Sequence, residues 1–195
     1  MLDERQFERL LTIFPNDIAP ELKEAFGENT NLICLKKGDT VFEESDSMFK
    51  GYYIVSGSCV RYVISPSGDE RAIMFHTEDF LQMLGNMHIK SDNSSVHYYI
   101  KANQNTEIFE FNMHEIQKYA LYDKTYALFA IQKLVRIFAI QNQILNHLTG
   151  LSSEDFLKWF IKNYAFIFQR FSSKDIASFM NVTPTWFSLL KRKLS

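Results

Sequence analysis

The sequence predicts an α+β protein: an antiparallel β sandwich or roll flanked by helices, then a long helix and an all-helical C-terminal unit. Three observations carry this reading. Between residues 30 and 111, short apolar stretches rich in β-branched and aromatic residues alternate with Gly, Asn, Asp and Ser, the pattern of strands joined by tight turns. From 124 to 148 there is no Gly or Pro, and apolar residues recur at helical spacing. From 172 onward two short helical patterns meet at a turn. A chain of 195 residues with 46% hydrophobic and 15% aromatic side chains has ample apolar surface for a core, which excludes global disorder.

Phe7, Leu10, Leu11 and Phe14 fall on one helical face, so residues 3–14 form a short amphipathic helix interrupted by Pro15 and Pro20. Leu22 and Phe26 mark a second helical turn closed near Gly27. The strand candidates are NLICL, TVF, GYYIVSG, CVRYVI, RAIMF, HYYIKA and TEIFEFN, with Ser65–Asp69 as a hairpin tip. From Met113 the pattern is helical. Within 124–148, Leu128, Ile131, Val135, Phe138 and Leu145 form one stripe; Ala130, Leu134, Ile137, Ile144 and Leu148 form another. Two stripes require two covers: the roll, and the same helix of a second subunit, with Asn142 fixing the register. The alternative second cover is the chain's own C-terminal part. Ser152 with Asp155, and Ser172 with Asp175, have the spacing of helix N-terminal capping boxes. The chain thus divides into residues 1–112, 113–149 and 150–195.

No apolar run is long enough for a membrane span, and the charged start is unlike a signal peptide, so a cytoplasmic protein without a membrane partner is expected. Cys34 and Cys59 form no CxxC and are expected in the core. The five histidines contain no His-x-His pair, no nucleophile–base spacing or Gly-rich phosphate loop stands out, and neither a metal, a cofactor nor an enzyme is indicated. The net charge of −2 hides an asymmetry: residues 1–112 hold 10 basic and 18 acidic side chains, residues 151–195 hold 7 and 3. A basic end on an acidic chain is expected if only that end meets phosphate; the alternative is a solvated basic face.

Residues 171–195, FSSKDIASFMNVTPTWFSLLKRKLS, are the most informative. Ile176 and Ala177 face inward, and the small Ala177 allows a close helix crossing. Asn181 suits a left-handed turn, Val182 plugs the corner, Thr183 caps the next helix and Pro184 fits its first position. Phe187 and Leu190 point inward. Outward go Thr185, Trp186, Ser188, Leu189, Lys191 and Arg192. This is the arrangement of a helix-turn-helix whose second helix enters a DNA major groove. Ser173, Lys174, Thr183, Thr185, Trp186, Ser188, Lys191 and Arg192 are the candidate DNA-binding residues. Trp186 is expected to pack on the adjacent helix, the alternative being a wedge at the DNA backbone.

Three segments in this order, LKKGDTVFEESD (35–46), GYYIVSGSCVRYVISPSGDERAI (51–73, with Gly57 at a tight turn) and KDIASFMNVTPTWFSLLKRKL (174–194), resemble motifs of the Crp/Fnr superfamily of bacterial transcription regulators, particularly the short Bacteroidetes type. The resemblance covers nearly the whole chain. It implies a cyclic-nucleotide-binding-like β-roll (a double-stranded, cupin-like β-helix), a long dimerisation helix and a helix-turn-helix head. It further implies a homodimer on a palindromic operator in double-stranded DNA, with RNA polymerase and a small-molecule effector as further partners.

Two departures qualify it. In nucleotide-binding members a Phe-Gly-Glu motif holds the ribose and a later Arg-Ser/Thr pair the cyclic phosphate. Here Phe80 is followed by Leu81 and Gln82, Val96 and His97 fall where the pair would be, and 80–102 contains no Arg and no Glu. A buried phosphate without its guanidinium is strongly disfavoured, so cyclic nucleotides are not the expected effector. Gln82, Met83, Leu84, Val96, His97 and Tyr98 are the candidate effector-pocket residues: either they line a site for an apolar or neutral ligand, or they fill it as core. In the head, Leu189 replaces the usual guanine-reading Arg, leaving thymine-methyl contact in its place. The two function classes are therefore a DNA-binding regulator and a dimeric ligand-sensing or interaction module whose head no longer reads DNA.

Overall fold

The computed structural model describes residues 2–43, 50–85 and 97–194, the side chain of residue 194 excepted. The fold is α+β, and the roll consists of two four-stranded antiparallel sheets. One has the order β1 (Thr30–Leu35), β8 (Thr106–Asn112), β3 (Lys50–Ser56), β6 (Met83–Gly85); the other β2 (Thr40–Glu43), β7 (His97–Ala102), β4 (Ser58–Ile64), β5 (Glu70–Thr77). Their inner faces share one apolar cluster, Phe42, Tyr52, Ile54, Cys59, Tyr98, Ile100 and Ile108 among it. The side-chain period of two sends the alternate residues outward, so each sheet needs a second cover.

Helices supply both covers. Outside the first sheet lie α1 (Glu4–Leu11), α2 (Pro20–Glu28), α3 (Met113–Ala120) and the start of α4 (Lys124–Gly150). Leu10, Leu22, Phe26 and Ile116 pack there on Phe109 and Phe111, with Phe14 stacked on Phe26 at 4.1 Å. Outside the second sheet lie α5 (Ser153–Arg170), α6 (Ser173–Phe179) and α7 (Pro184–Leu194). Val60, Ala72 and Phe75 of that sheet share a cluster with Ile144, Phe156, Phe160, Ile176, Phe179 and Phe187. The C-terminal head therefore has no separate interior: its core continues into the roll.

All seven strand candidates appear. The sequence reading lacked β6, three residues long and too short to show alternation. Pro20 begins α2 rather than only interrupting, since a first helical position needs no amide hydrogen, and the helix runs through Gly27 to Glu28. Residues 113–150 are two helices, broken at Leu121–Asp123, with Asp123 capping the second. Helix α5 kinks at Tyr164. Cys59 is buried as expected, and burial pushes its thiol up to about 12. Cys34 is exposed, because it lies on the outer side of the edge strand β1.

Between β3 and β4 the chain turns on Gly57 at φ 102. A Cβ there would lie 2.5 Å from Thr106 Oγ1 and 2.7 Å from the Asn105 carbonyl. Conformation and space both exclude a side chain. Gly57→Ala should lower unfolding free energy by about 2 kcal/mol, read from the urea midpoint at unchanged slope.

Candidate nucleic-acid interface and sensor cavity

The second helix of the helix-turn-helix is set by local chemistry at its entry. Helix α6 ends in a closed motif: Asn181 is left-handed at φ 55, its N–H donates to the Ser178 carbonyl, and the Val182 N–H donates to the Ala177 carbonyl, both at 3.0 Å. The Trp186 N–H then donates to Thr183 Oγ1 at 3.1 Å, capping α7. Phe187 and Leu190 are fully buried. The opposite face holds Thr185, Ser188, Leu189 and Arg192, at the i, i+3, i+4, i+7 spacing of one helical side.

Each candidate DNA-binding residue (Ser173, Lys174, Thr183, Thr185, Trp186, Ser188, Lys191, Arg192) is exposed. Trp186 differs from the expected packing: it is 46% exposed, because Phe187 and Leu190 already occupy the inward face. Lys193 pairs with Glu154 at 3.2 Å.

The long helix α4 turns one stripe outward and most of the other inward, Leu134 of the second stripe being 42% exposed. Ile137, Ile140, Ile144 and Leu148 pack into the cluster shared with the head. Leu128, Ile131, Val135, Phe138 and Leu145 are each more than half exposed, Phe138 at 69%. Asn142 lies between Phe138 and Leu145 and donates from Nδ2 to the Phe138 carbonyl.

Polar contacts fix how the head sits on the roll. Arg170 donates to both carboxylate oxygens of Glu78 at 2.9 and 2.8 Å and to the Gly57 carbonyl at 2.9 Å. Asn103 Nδ2 donates to the Arg170 carbonyl, and Tyr62 Oη to Asp175. The Ala72 amide, on the edge strand β5, donates to Ser178 Oγ at 3.0 Å, which satisfies part of that edge. Burial works to raise the Glu78 carboxyl, but the hydrogen bonds and charge of Arg170 hold it below the ordinary range.

A cavity of about 340 Å³ opens between the roll and α4. Gln82, Met83 and Leu84 of the candidate pocket line it. Tyr98 belongs instead to the roll's own core, and His97 is exposed at the start of β7. Val96 lies outside the described residues. Among the lining residues that the sequence reading did not place in the pocket are Arg61 of β4 and His76 of β5. The His76 ring shares a hydrogen bond with the Leu81 carbonyl at 2.8 Å. Burial, then the charge of Arg61, push its pKa down to about 3 against that bond, so the neutral ring donates from Nδ1 and leaves Nε2 an acceptor. Leu81 is left-handed at φ 50, a strained state for a branched side chain. A signal for Arg61 existed: in CVRYVI it shares the inward parity of Cys59 and Val63, where a charge is anomalous.

No family model matches the sequence, and neither does any curated protein. Solved structures are similar. A Crp/Fnr-family transcriptional regulator from Eubacterium rectale superposes with a TM-score of 0.71 at 15% identity, over 93% of this chain and 87% of that one. A cyclic nucleotide-binding domain containing protein from Listeria monocytogenes gives 0.72 at 13%, over 95% and 90%. FixK2 from Bradyrhizobium japonicum gives 0.67 at 14%, over 85% and 84%. The chain has the fold of the Crp/Fnr-type regulators. No helix among the described residues is long and apolar enough to cross a membrane.

Arg170→Ala should cost about 1–3 kcal/mol of stability, since it leaves a half-buried carboxylate unpaired. Because the folded Glu78 pKa is depressed, the pair's contribution is present above the unfolded value of about 4.3 and lost as pH falls through the folded one; the variant should lack this acid-side loss in urea midpoints measured against pH. His76 adds an independent loss. Its ring stays neutral when folded but takes up a proton when unfolded, so stability should fall as pH drops below about 6.5, and His76→Gln should flatten that slope.

Proposed function

We propose that the protein is a homodimeric, DNA-binding transcription regulator of the Crp/Fnr type. Its roll senses a ligand other than a cyclic nucleotide, and its two heads read a palindromic operator. The observation that carries this is the face of α7: Thr185, Ser188, Leu189 and Arg192 are exposed together beside Lys191, while the opposite side is locked into the core. The outward stripe of α4 supports the dimer, because five large apolar side chains in a row on a soluble surface are the signature of a missing partner helix. Two-fold pairing would present two such faces, and thus a two-fold operator. The sequence spacing at 80–102 supports an effector other than a cyclic nucleotide, since it offers no Arg for the cyclic phosphate. A cytoplasmic location, with RNA polymerase as a protein partner, belongs to the same reading. An enzyme finds no support in it.

Leu189 favours a second reading. It is 39% exposed where a guanine-reading Arg would stand, so the head has less means of specifying sequence, and the protein would be a ligand-sensing or interaction module. Fluorescence anisotropy on genomic fragments across a salt series separates the two. The regulator should show log affinity falling steeply with log salt; a flat line or no binding supports the module. Lys191→Ala with Arg192→Ala should reduce that slope by about 2 and weaken binding to all fragments alike. Phe138→Glu should convert the particle to a monomer in light scattering, with loss of DNA binding in the same sample.

A further inference from the structure

Where the second helix of a helix-turn-helix enters a major groove, its N-terminal residues face the base edges. The first two turns of α7, Pro184–Leu190, carry no charged side chain and no amide. Lys191, Arg192 and Lys193 all fall in the last turn, which begins about 10 Å from the helix start. Arg and Lys are the groups that pick out guanine, and Asn and Gln those that pick out adenine. Neither set is present where the bases would be met. The hydroxyls do not replace them. Ser188 Oγ spends its proton on the Pro184 carbonyl at 2.9 Å, and Thr183 Oγ1 accepts the Trp186 N–H. Thr185 adds one short hydroxyl, which suits several bases alike. What remains is apolar: Trp186 at 46% exposure and Leu189 at 39%, three residues apart and therefore neighbours on the helix surface. The expected packing of Trp186 would have left Leu189 alone; its outward turn makes a pair.

We infer that Trp186 and Leu189 determine specificity by reading thymine methyl groups, so that each half-site is marked by two adjacent A·T pairs with both thymines on one strand rather than by guanine. The C5-methyl of thymine is the one apolar group that a base pair shows in the major groove, so an apolar side chain has a single base to select. The dimensions agree. Side chains at i and i+3 stand about 5–6 Å apart, and successive bases on one strand rise by about 3.4 Å, so the pair spans two neighbouring methyls. Contact takes apolar surface of protein and base out of water together, which lets a face without a guanidinium discriminate. The basic last turn serves phosphates, which carry affinity but no sequence. The inference rests on the regulator reading and names the class of sequence that its heads recognise.

The test uses the full chain on duplexes that it selects from a random-sequence pool. The selected half-sites should contain a thymine pair, and replacing those thymines with deoxyuridine removes two methyl groups and nothing else. At fixed salt, binding should weaken about tenfold or more, with a loss of about fourfold for either thymine alone. Changing one such A·T pair to 5-methylcytosine·guanine should keep more affinity than changing it to cytosine·guanine, because the methyl remains. Leu189→Ala with Trp186→Ala should bind the thymine and uracil duplexes equally, and Leu189→Arg should draw guanine into the half-sites it selects. The thymine-to-uracil ratio is internal to each protein, so a general loss of stability does not move it, and the wild-type ratio decides the matter even if a variant fails to fold. The inference is overturned if the selected half-sites lack thymine pairs, if the uracil duplex binds as well as the thymine duplex, or if the double alanine variant keeps the discrimination. Those results leave salt-dependent DNA binding, and with it the regulator reading, standing. A pool from which no duplex is retained at about 50 mM salt overturns both.

Discussion

The functional geometry depends on one apolar junction. Phe75, on the outer face of β5, lies 4.6 Å from the ring of Phe171 and 5.3 Å from that of Phe179, and Phe179 in turn packs on Phe156 and Phe160. Each such ring contributes on the order of 1.5–3 kcal/mol by burial. The Arg170–Glu78 pair, with 22% and 32% of its side chains exposed, is screened and contributes less than two or three of them together. Packing therefore fixes the head in place, and the ion pair sets its rotation, since a bidentate guanidinium also bound to the Gly57 carbonyl tolerates little turning. The consequence is a head whose helix α7 turns one face away from the roll because its inner face packs into the core shared with the roll.

The short segment from Glu78 to Gln82 is where this junction meets the cavity. Glu78 receives Arg170, and Phe80 lies 5.3 Å from the rings of both Tyr164 and Phe166 of α5. The side chain of Leu81 enters the head's core while its carbonyl turns the other way to His76. Gln82 lines the cavity, and its carbonyl accepts from the Ile54 amide. A side chain and a carbonyl of one residue thus face two different compartments, and the left-handed backbone at Leu81 makes that possible. Strain of this size persists only where the surroundings over-determine it.

What was legible in the sequence was what repeats or caps. The strands showed because alternation survives in six or seven residues; β6, with three, left no period to read. The turn of the helix-turn-helix was legible to the residue, because Asn181, Thr183 and Pro184 each suit one backbone state and no other so well. The pocket was legible only in part. Gln82, Met83 and Leu84 follow from their place in a motif, whereas Arg61 and His76 come together only through the β4–β5 pairing, a contact between residues far apart in sequence. Trp186 went astray for a related reason: propensity says that a large aromatic seeks cover, but the cover was already taken by Phe187 and Leu190.

Helix α4 brings the two ends of the molecule under one constraint. Its 27 residues span about 40 Å at 1.5 Å per residue, enough to run from the helices over the first sheet to the head. Phe129, Lys133 and Ile137 line the cavity, and Leu128, Ile131, Val135 and Phe138 are exposed a quarter-turn or more away. A rigid helix cannot shift one of these faces without the other. In a dimer the outward stripe would meet its own copy, so the register across the two-fold axis would be read by the opposite face of the same helix that roofs the cavity. Filling a cavity displaces its roof by fractions of a helical diameter, and a packed apolar interface responds to such displacements by switching register rather than by yielding gradually. On the proposed dimer, the spacing of the two heads would follow that register, and ligand occupancy, subunit pairing and head separation would all act through the position of a single helix.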